Sequence, residues 1–217
     1  AAKAWYSIDE NIFHYDEDKR VEMVALPALD YQITTLIDFN SPVLGTQHAG
    51  LKTIKDFRTE IAPCRTFCFL HELEMLYKQN LIKGGDLNNA IVVVDRVIEE
   101  KELEHLAKMF NKKKVEVRKE GILNNVELRY KNEPARHKLL DVVGDLALVG
   151  RPLKAQILAA RPGHAANVAF DAADADQVAD LHRPVRPQDQ TRDKVRHDLL
   201  QTKADAHRER TDDPRQI

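Results

Sequence analysis

A chain of 217 residues, 43% hydrophobic and 31% charged, has the size and make-up of one large globular domain or two small ones. Its 33 basic and 35 acidic residues leave a net charge of −2, which excludes the one-sign field that a general nucleic-acid binder needs. No apolar run reaches the roughly 18 residues of a spanning helix and the N-terminus lacks the pattern of a signal peptide, so no membrane insertion is expected and the cytoplasm is the expected compartment.

Asn11 to Tyr15 and Arg20 to Leu26 flank the acidic turn Asp16-Glu17-Asp18 and read as a hairpin, and the β-branched run Tyr31 to Asp38 reads as a third strand. Thr46 to Leu51 is a weaker fourth. Thr53 can cap a helix running to Ile61, before Pro63. Arg65 to Phe69, His71 to Asn80 and Ala90 to Asp95 then form a strand, a helix and a buried strand, with Leu73, Leu76 and Tyr77 on one side of the helix and Gly84-Gly85 as a turn. Cys64 and Cys68, the two cysteines, have three residues between them and no second pair elsewhere, which excludes a cysteine zinc site or a disulfide framework. Glu99 to Phe110 is an amphipathic helix through Leu103, Leu106, Ala107 and Phe110, followed by a short strand at Val115 to Val117.

Glu133-Pro134 opens a helix expected to run to Gly150, with the proline where its missing N–H costs little. Leu139, Leu140, Val142, Val143, Leu146, Leu148 and Val149 cover most of the cylinder, the pattern of a helix buried nearly all round. His137, Asp141 and Asp145 recur at i, i+4 and i+8 and so form one polar stripe. Such groups are costly to desolvate without partners, and a divalent metal between His137 and Asp141 would supply one. A hydrogen-bonded histidine or a plain ion pair accounts for the same spacing, which is common by chance. Lys138 is either a solvated helix residue or a neutraliser of an oxyanion. Leu153 to Ala160 reads as a strand, and His164 stands at the head of a short helix from Ala165 to Phe170. His164 is either a surface residue there or a general acid with a carboxylate such as Asp145 beside it.

Composition switches near residue 171. Residues 1–170 hold 15 Lys and 9 Arg with 14 Glu and 10 Asp, whereas 171–217 hold 2 Lys and 7 Arg with 1 Glu and 10 Asp. Without aromatic residues and with thinly spread apolar ones, the tail cannot offset its ordering entropy through burial. It is expected to be disordered apart from a short helix near Thr191 to Ala206. A charged linker and a junction with unrelated sequence both explain the switch.

The runs N-E-P-A-R-H-K-L-L-D-V-V-G-D-L-A-L-V-G-R-P and A-A-R-P-G-H-A-A-N-V resemble the C-terminal domain of the zinc-dependent UDP-3-O-acyl-N-acetylglucosamine deacetylases of lipid A biosynthesis. C-R-T-F-C-F and G-G-D-L-N-N-A-I-V-V-V-D resemble the acyl-binding insert of the same domain. The likeness spans about Ile8 to Phe170, and Val97 to Asn125 resembles the subgroup fused to a hydroxyacyl-carrier-protein dehydratase, of which the tail carries nothing. The resemblance implies an α+β fold, a two-layer sandwich over residues 1–170 with a strand-helix-strand insert at about 64–125, and the tail at 171–217, which composition marks as disordered, lies outside it. It also implies Zn2+ as cofactor. His137 and Asp141 match two of three zinc ligands, and Lys138 matches a lysine contacting substrate near the developing charge. His164 matches a general acid or oxyanion stabiliser, Asp145 the aspartate that orients it, Thr66 a threonine on the tetrahedral intermediate, and Phe67 its neighbour beside the sugar.

In that family zinc polarises the amide carbonyl and activates water. The third ligand, a His, and the general-base Glu belong to an N-terminal domain not contained in this sequence. His14, His48, His71 and His105 offer no substitute. The expectation is therefore a domain that hydrolyses the N-acetyl amide of UDP-3-O-acyl-N-acetylglucosamine only with that missing domain as partner. The alternative is a non-catalytic module that binds an acyl chain or a nucleotide sugar.

Overall fold

The computed structural model describes residues 5–78 and 89–170. The chain opens with strands β1 (Tyr6–Ser7), β2 (Ile12–Asp16), β3 (Val21–Pro27), β4 (Gln32–Asp38) and β5 (Thr46–Leu51). The β2–β3 hairpin turns where Asp16 Oδ1 accepts the Lys19 N–H at 3.1 Å and Arg20 takes a φ of 52°. An insert follows, made of β6 (Thr66–Phe69), α1 (Leu70–Lys78), β7 (Ala90–Val93) and α2 (Glu100–Met109), and the chain returns through α3 (Glu133–Leu146) and β8 (Leu153–Ala160) to a helical segment at 164–170. The architecture is α+β, with α3 laid on a mixed sheet.

In the main sheet the order is β2-β3-β8-β4-β5, so the last strand lies in the middle. It runs antiparallel to β3 (Val24 opposite Leu158) and parallel to β4 (Thr34 opposite Leu158), while β1 pairs with its start. β8 alternates buried Leu153, Ala155, Ile157 and Ala159 with more exposed partners, the period-2 pattern of a sheet covered on one face. Onto that face α3 turns Ala135, Leu139, Val142 and Leu146, which meet Ile33, Ile37, Leu51 and Met23 in the main core. Each such Leu contributes about 2–3 kcal/mol through the apolar surface it removes from water. Buried Thr35 of β4 ties the layers directly by donating its hydroxyl to the Ala135 carbonyl at 3.2 Å.

The insert has its own core. β6 and β7 pair in parallel, as a strand-helix-strand unit requires, and Leu70, Leu73, Val92, Val94, Leu106 and Ala107 bury together beside them.

Three expectations change, and one strand had none. The helix expected from Thr53 to Ile61 is a 3-10 turn at Ile54–Asp56 followed by a π-helical turn at Phe57–Ile61. Thr53 does cap its start, but the Ala62 N–H closes back on the Phe57 carbonyl at 2.8 Å, a wider turn that brings fully buried Ile61 into the core. Val115 to Val117 is no strand: it forms one isolated bridge, Val117 to Leu123, because the chain turns back through Gly121. The helix expected to be buried nearly all round is buried on one face only, and Leu148, past its end in a 3-10 turn at Ala147–Val149, is 73% exposed. Strand β1, too short to carry a periodic pattern, was not anticipated. The Gly84-Gly85 turn and the tail from residue 171 lie outside the described residues, as do the side chains of Leu76 and Tyr77.

Candidate active site

One side of α3 rests on the sheet, and the 100° step per residue leaves His137, Asp141 and Asp145 along its flank, half-buried beside the insert. Strand β6 runs past that flank, and the helical segment at 164–170 closes it from the other end. A cleft of about 250 Å³ results, lined by Phe39, Thr66, Phe67, His137, Lys138, Asp141 and His164. Six of the seven residues expected at the site therefore border one space. The seventh, Asp145, sits behind His164.

His137 Nε2 lies 3.5 Å from Asp141 Oδ1. Two ligands about 2.0–2.2 Å from one tetrahedral zinc lie about 3.4 Å apart, so the separation matches that of two ligands of one zinc, as well as that of a plain ion pair. The other ring nitrogen, Nδ1, is 3.4 Å from the Cys64 carbonyl. A proton on Nδ1 donates to that carbonyl and leaves the Nε2 lone pair free for a metal. The second carboxylate oxygen of Asp141, Oδ2, accepts from Lys138 Nζ at 3.0 Å, which orients Oδ1 toward the histidine. Among the described residues no group of three or more His, Cys, Asp or Glu side chains is placed to hold a metal ion, and His137 and Asp141 form a pair.

Across the cleft, His164 Nδ1 approaches both oxygens of Asp145, at 3.1 and 2.9 Å. An ionised carboxylate only accepts, so Nδ1 carries the proton and the far edge of the ring, Nε2, is left for other work. The histidine side chain is 70% exposed and the aspartate 16%. Thr66 is exposed at the start of β6, and Phe67 beside it meets His137 edge-on with ring centroids 6.5 Å apart. Phe39 braces Phe67 in the same way at 5.4 Å.

Three supports gave no sequence signal or a faint one. Glu133 is fully buried, yet it accepts from the Arg65 backbone N–H at 3.0 Å, Arg65 Nε at 2.9 Å, Arg65 Nη2 at 2.9 Å and the Arg129 N–H at 2.7 Å. Burial pushes its carboxyl up, but the hydrogen bonds from Arg65 and Arg129 outweigh that and hold it below the usual glutamate range. An acidic residue in a helix's first turn is ordinarily solvated, so nothing in the sequence marked it. Phe39, just past β4, carries no pattern at all. Buried Asn167 donates from Nδ2 to Asp145 Oδ2 at 2.7 Å, and its i+3 spacing from His164 was the available hint. Cys64 and Cys68 are both free thiols, each pushed up to about 11 by burial.

Residues 1–115 and 106–173 match the family model described as UDP-3-O-acyl N-acetylglycosamine deacetylase. The bifunctional enzyme LpxC/FabZ of Chlorobaculum tepidum is 51% identical over 171 residues, which cover 77% of this chain and 37% of that protein. Its Porphyromonas gingivalis namesake is 42% identical over 75% of this chain and 35% of its own length. The UDP-3-O-acyl-N-acetylglucosamine deacetylase of Chlamydia pneumoniae is 37% identical over 72% of this chain and 48% of its own. The chain thus spans between about a third and a half of the curated relatives it matches. With the matched segments running through both walls of the cleft, the chain belongs to the UDP-3-O-acyl N-acetylglycosamine deacetylase family.

Proposed function

We propose that this chain supplies two zinc ligands and the proton-donating half of an enzyme that hydrolyses the N-acetyl amide of UDP-3-O-acyl-N-acetylglucosamine, a step of lipid A biosynthesis. The observation that carries the reading is the 3.5 Å approach of His137 Nε2 to Asp141 Oδ1 in the same cleft as His164. His137 and Asp141 would hold the zinc, which when bound polarises the scissile carbonyl and activates water. A third ligand and a general base would come from beyond the described residues. Lys138, tethered to Asp141, places a cation where negative charge develops on the amide oxygen. Thr66 lines the same cleft, and its hydroxyl would donate to that oxygen. His164, fixed at Nδ1 by Asp145, can when doubly protonated donate its second proton from Nε2 to the departing amine, which leaves the neutral Nδ1–H ring. Phe67, with Phe39 behind it, offers an apolar face to a sugar ring. No helix among the described residues is long and apolar enough to cross a membrane, in keeping with catalysis from the aqueous side.

Grafting the matched segment into the Chlorobaculum tepidum relative, in place of its counterpart, tests this reading. The chimera should bind zinc and release acetate from the UDP-acyl sugar. His137→Ala or Asp141→Ala should each strip the metal, whereas Lys138→Ala should retain it and slow turnover by about 100-fold, the size of losing one oxyanion donor. Equal zinc loss in all three variants would show the roles to be misassigned. The 217-residue chain alone should bind zinc weakly and leave the substrate intact, because two ligands hold the metal less firmly than three.

A further inference from the structure

The Asn167 side chain is completely buried, beside Ala166 and Phe170, which belong to the main core. Its amide nitrogen donates to Asp145 Oδ2 at 2.7 Å, but its amide oxygen has no partner among the described residues. A buried amide with an orphaned oxygen is a poor core residue, since desolvating that oxygen costs free energy that an aliphatic side chain would not. The amide needs a reason other than packing.

That reason lies in what Asp145 does. His164 and Asn167 are three residues apart on one helical segment, so both reach the same carboxylate, the ring from the cleft side and the amide from the core side. Without the amide, the carboxylate would be held only by a ring that is itself 70% exposed. We propose that Asn167 is a positioning residue that locks the Asp145 carboxylate and, through it, keeps the proton of His164 on Nδ1, so that Nε2 is presented to the cleft. This deepens the reading of His164 as the proton donor and rests on it. Pinned at Oδ2, the carboxylate cannot swing away from the ring. Freed, it would let the neutral imidazole relax toward the Nε2–H tautomer that free histidine prefers, and Nε2 would lose the lone pair by which it is recharged between turnovers.

The test is nitrogen NMR of the His164 ring in the 217-residue chain at alkaline pH, where the ring is neutral. In the unaltered chain Nδ1 should show the shift of a protonated nitrogen and Nε2 that of a bare one. In Asn167→Ala the Nε2–H form should become the major species. A folded Asn167→Ala chain that keeps the proton on Nδ1 would overturn the proposal, because a merely structural amide would change stability and leave the tautomer alone. Should that variant fail to fold, the unaltered chain decides. The Asn167 side-chain amide protons should exchange slowly and lose that protection in Asp145→Ala. Exchange as fast as that of an exposed amide in the unaltered chain overturns the proposal. Zinc titration of the same samples with the grafted enzyme reports on the deacetylase reading separately, since absence of metal binding would remove that reading without touching the tautomer.

Discussion

Replacing Glu133 should damage the site from beneath. The residue stands one turn before His137 on α3, and its four accepted hydrogen bonds hold Arg65, the neighbour of Thr66, and the backbone at Arg129. Glu133→Gln keeps one oxygen, enough for the Arg65 N–H and Nε. Its new NH2 would face Arg65 Nη2 and the Arg129 N–H, donors against a donor. It would also leave a guanidinium that is only 14% exposed without its counter-charge. Removing one partner of a buried ion pair costs about 3–5 kcal/mol. Set against a total of about 5–15 kcal/mol for a domain, that is a large share, and it corresponds to a fall of roughly 6–20 °C in Tm for a domain of this size. Near-ultraviolet circular dichroism melts would measure it. A loss below about 1 kcal/mol would refute the reasoning. The double replacement Arg65→Met with Glu133→Leu should recover part of the loss, because an apolar pair of similar volume needs no counter-charge. The backbone N–H groups of residues 65 and 129 would then lack their acceptor, a residual of about 1 kcal/mol each.

The same contacts give stability a dependence on pH. Because the folded protein holds the Glu133 carboxyl below its ordinary value, the unfolded chain binds its proton first as pH falls. The contribution of Glu133 is present in full above the ordinary glutamate range and is lost as pH drops through the depressed folded value. In Glu133→Gln that acid-limb slope should disappear.

Gly121 has a φ of 75°, and a Cβ there would collide with Val43 Cγ1. Gly121→Ala should cost about 2–4 kcal/mol from left-handed strain and overpacking together. In a Val43→Ala background only the backbone part, about 1 kcal/mol, should remain, and equal losses in both backgrounds in urea titrations would deny the contact. The thiols of Cys64 and Cys68, raised to about 11 and largely covered, should alkylate far more slowly at neutral pH than those of the urea-unfolded chain, and equal rates by mass spectrometry would contradict their burial. Thr66→Val should leave the melting curve within about 0.5 kcal/mol, since Thr66 is exposed, while lowering turnover in the grafted enzyme.

Local chemistry was legible wherever a period or a cap repeats over several residues. The alternation along β3, β4 and β8, the parallel logic of β6-α1-β7 and the Glu133-Pro134 opening of α3 could all be read from residue order, because burial on one face imposes a period of 2 or 3.6. So could the stripe of His137, Asp141 and Asp145, and the motifs around it carried the family. Residue order does not say which distant segments share a wall. That β8 enters between β3 and β4 follows from long-range pairing, and the cleft exists because this arrangement brings α3 against β6 and the 164–170 segment. Packing also decided that α3 is buried on one side rather than all round. An apolar residue such as Leu148 stays exposed when the sheet below is already covered. The two buried polar supports, Glu133 on Arg65 and Asn167 on Asp145, join residues 68 and 22 positions apart. Their partners are set by tertiary contact alone, since a buried charge or amide must be satisfied by whatever the fold delivers to it.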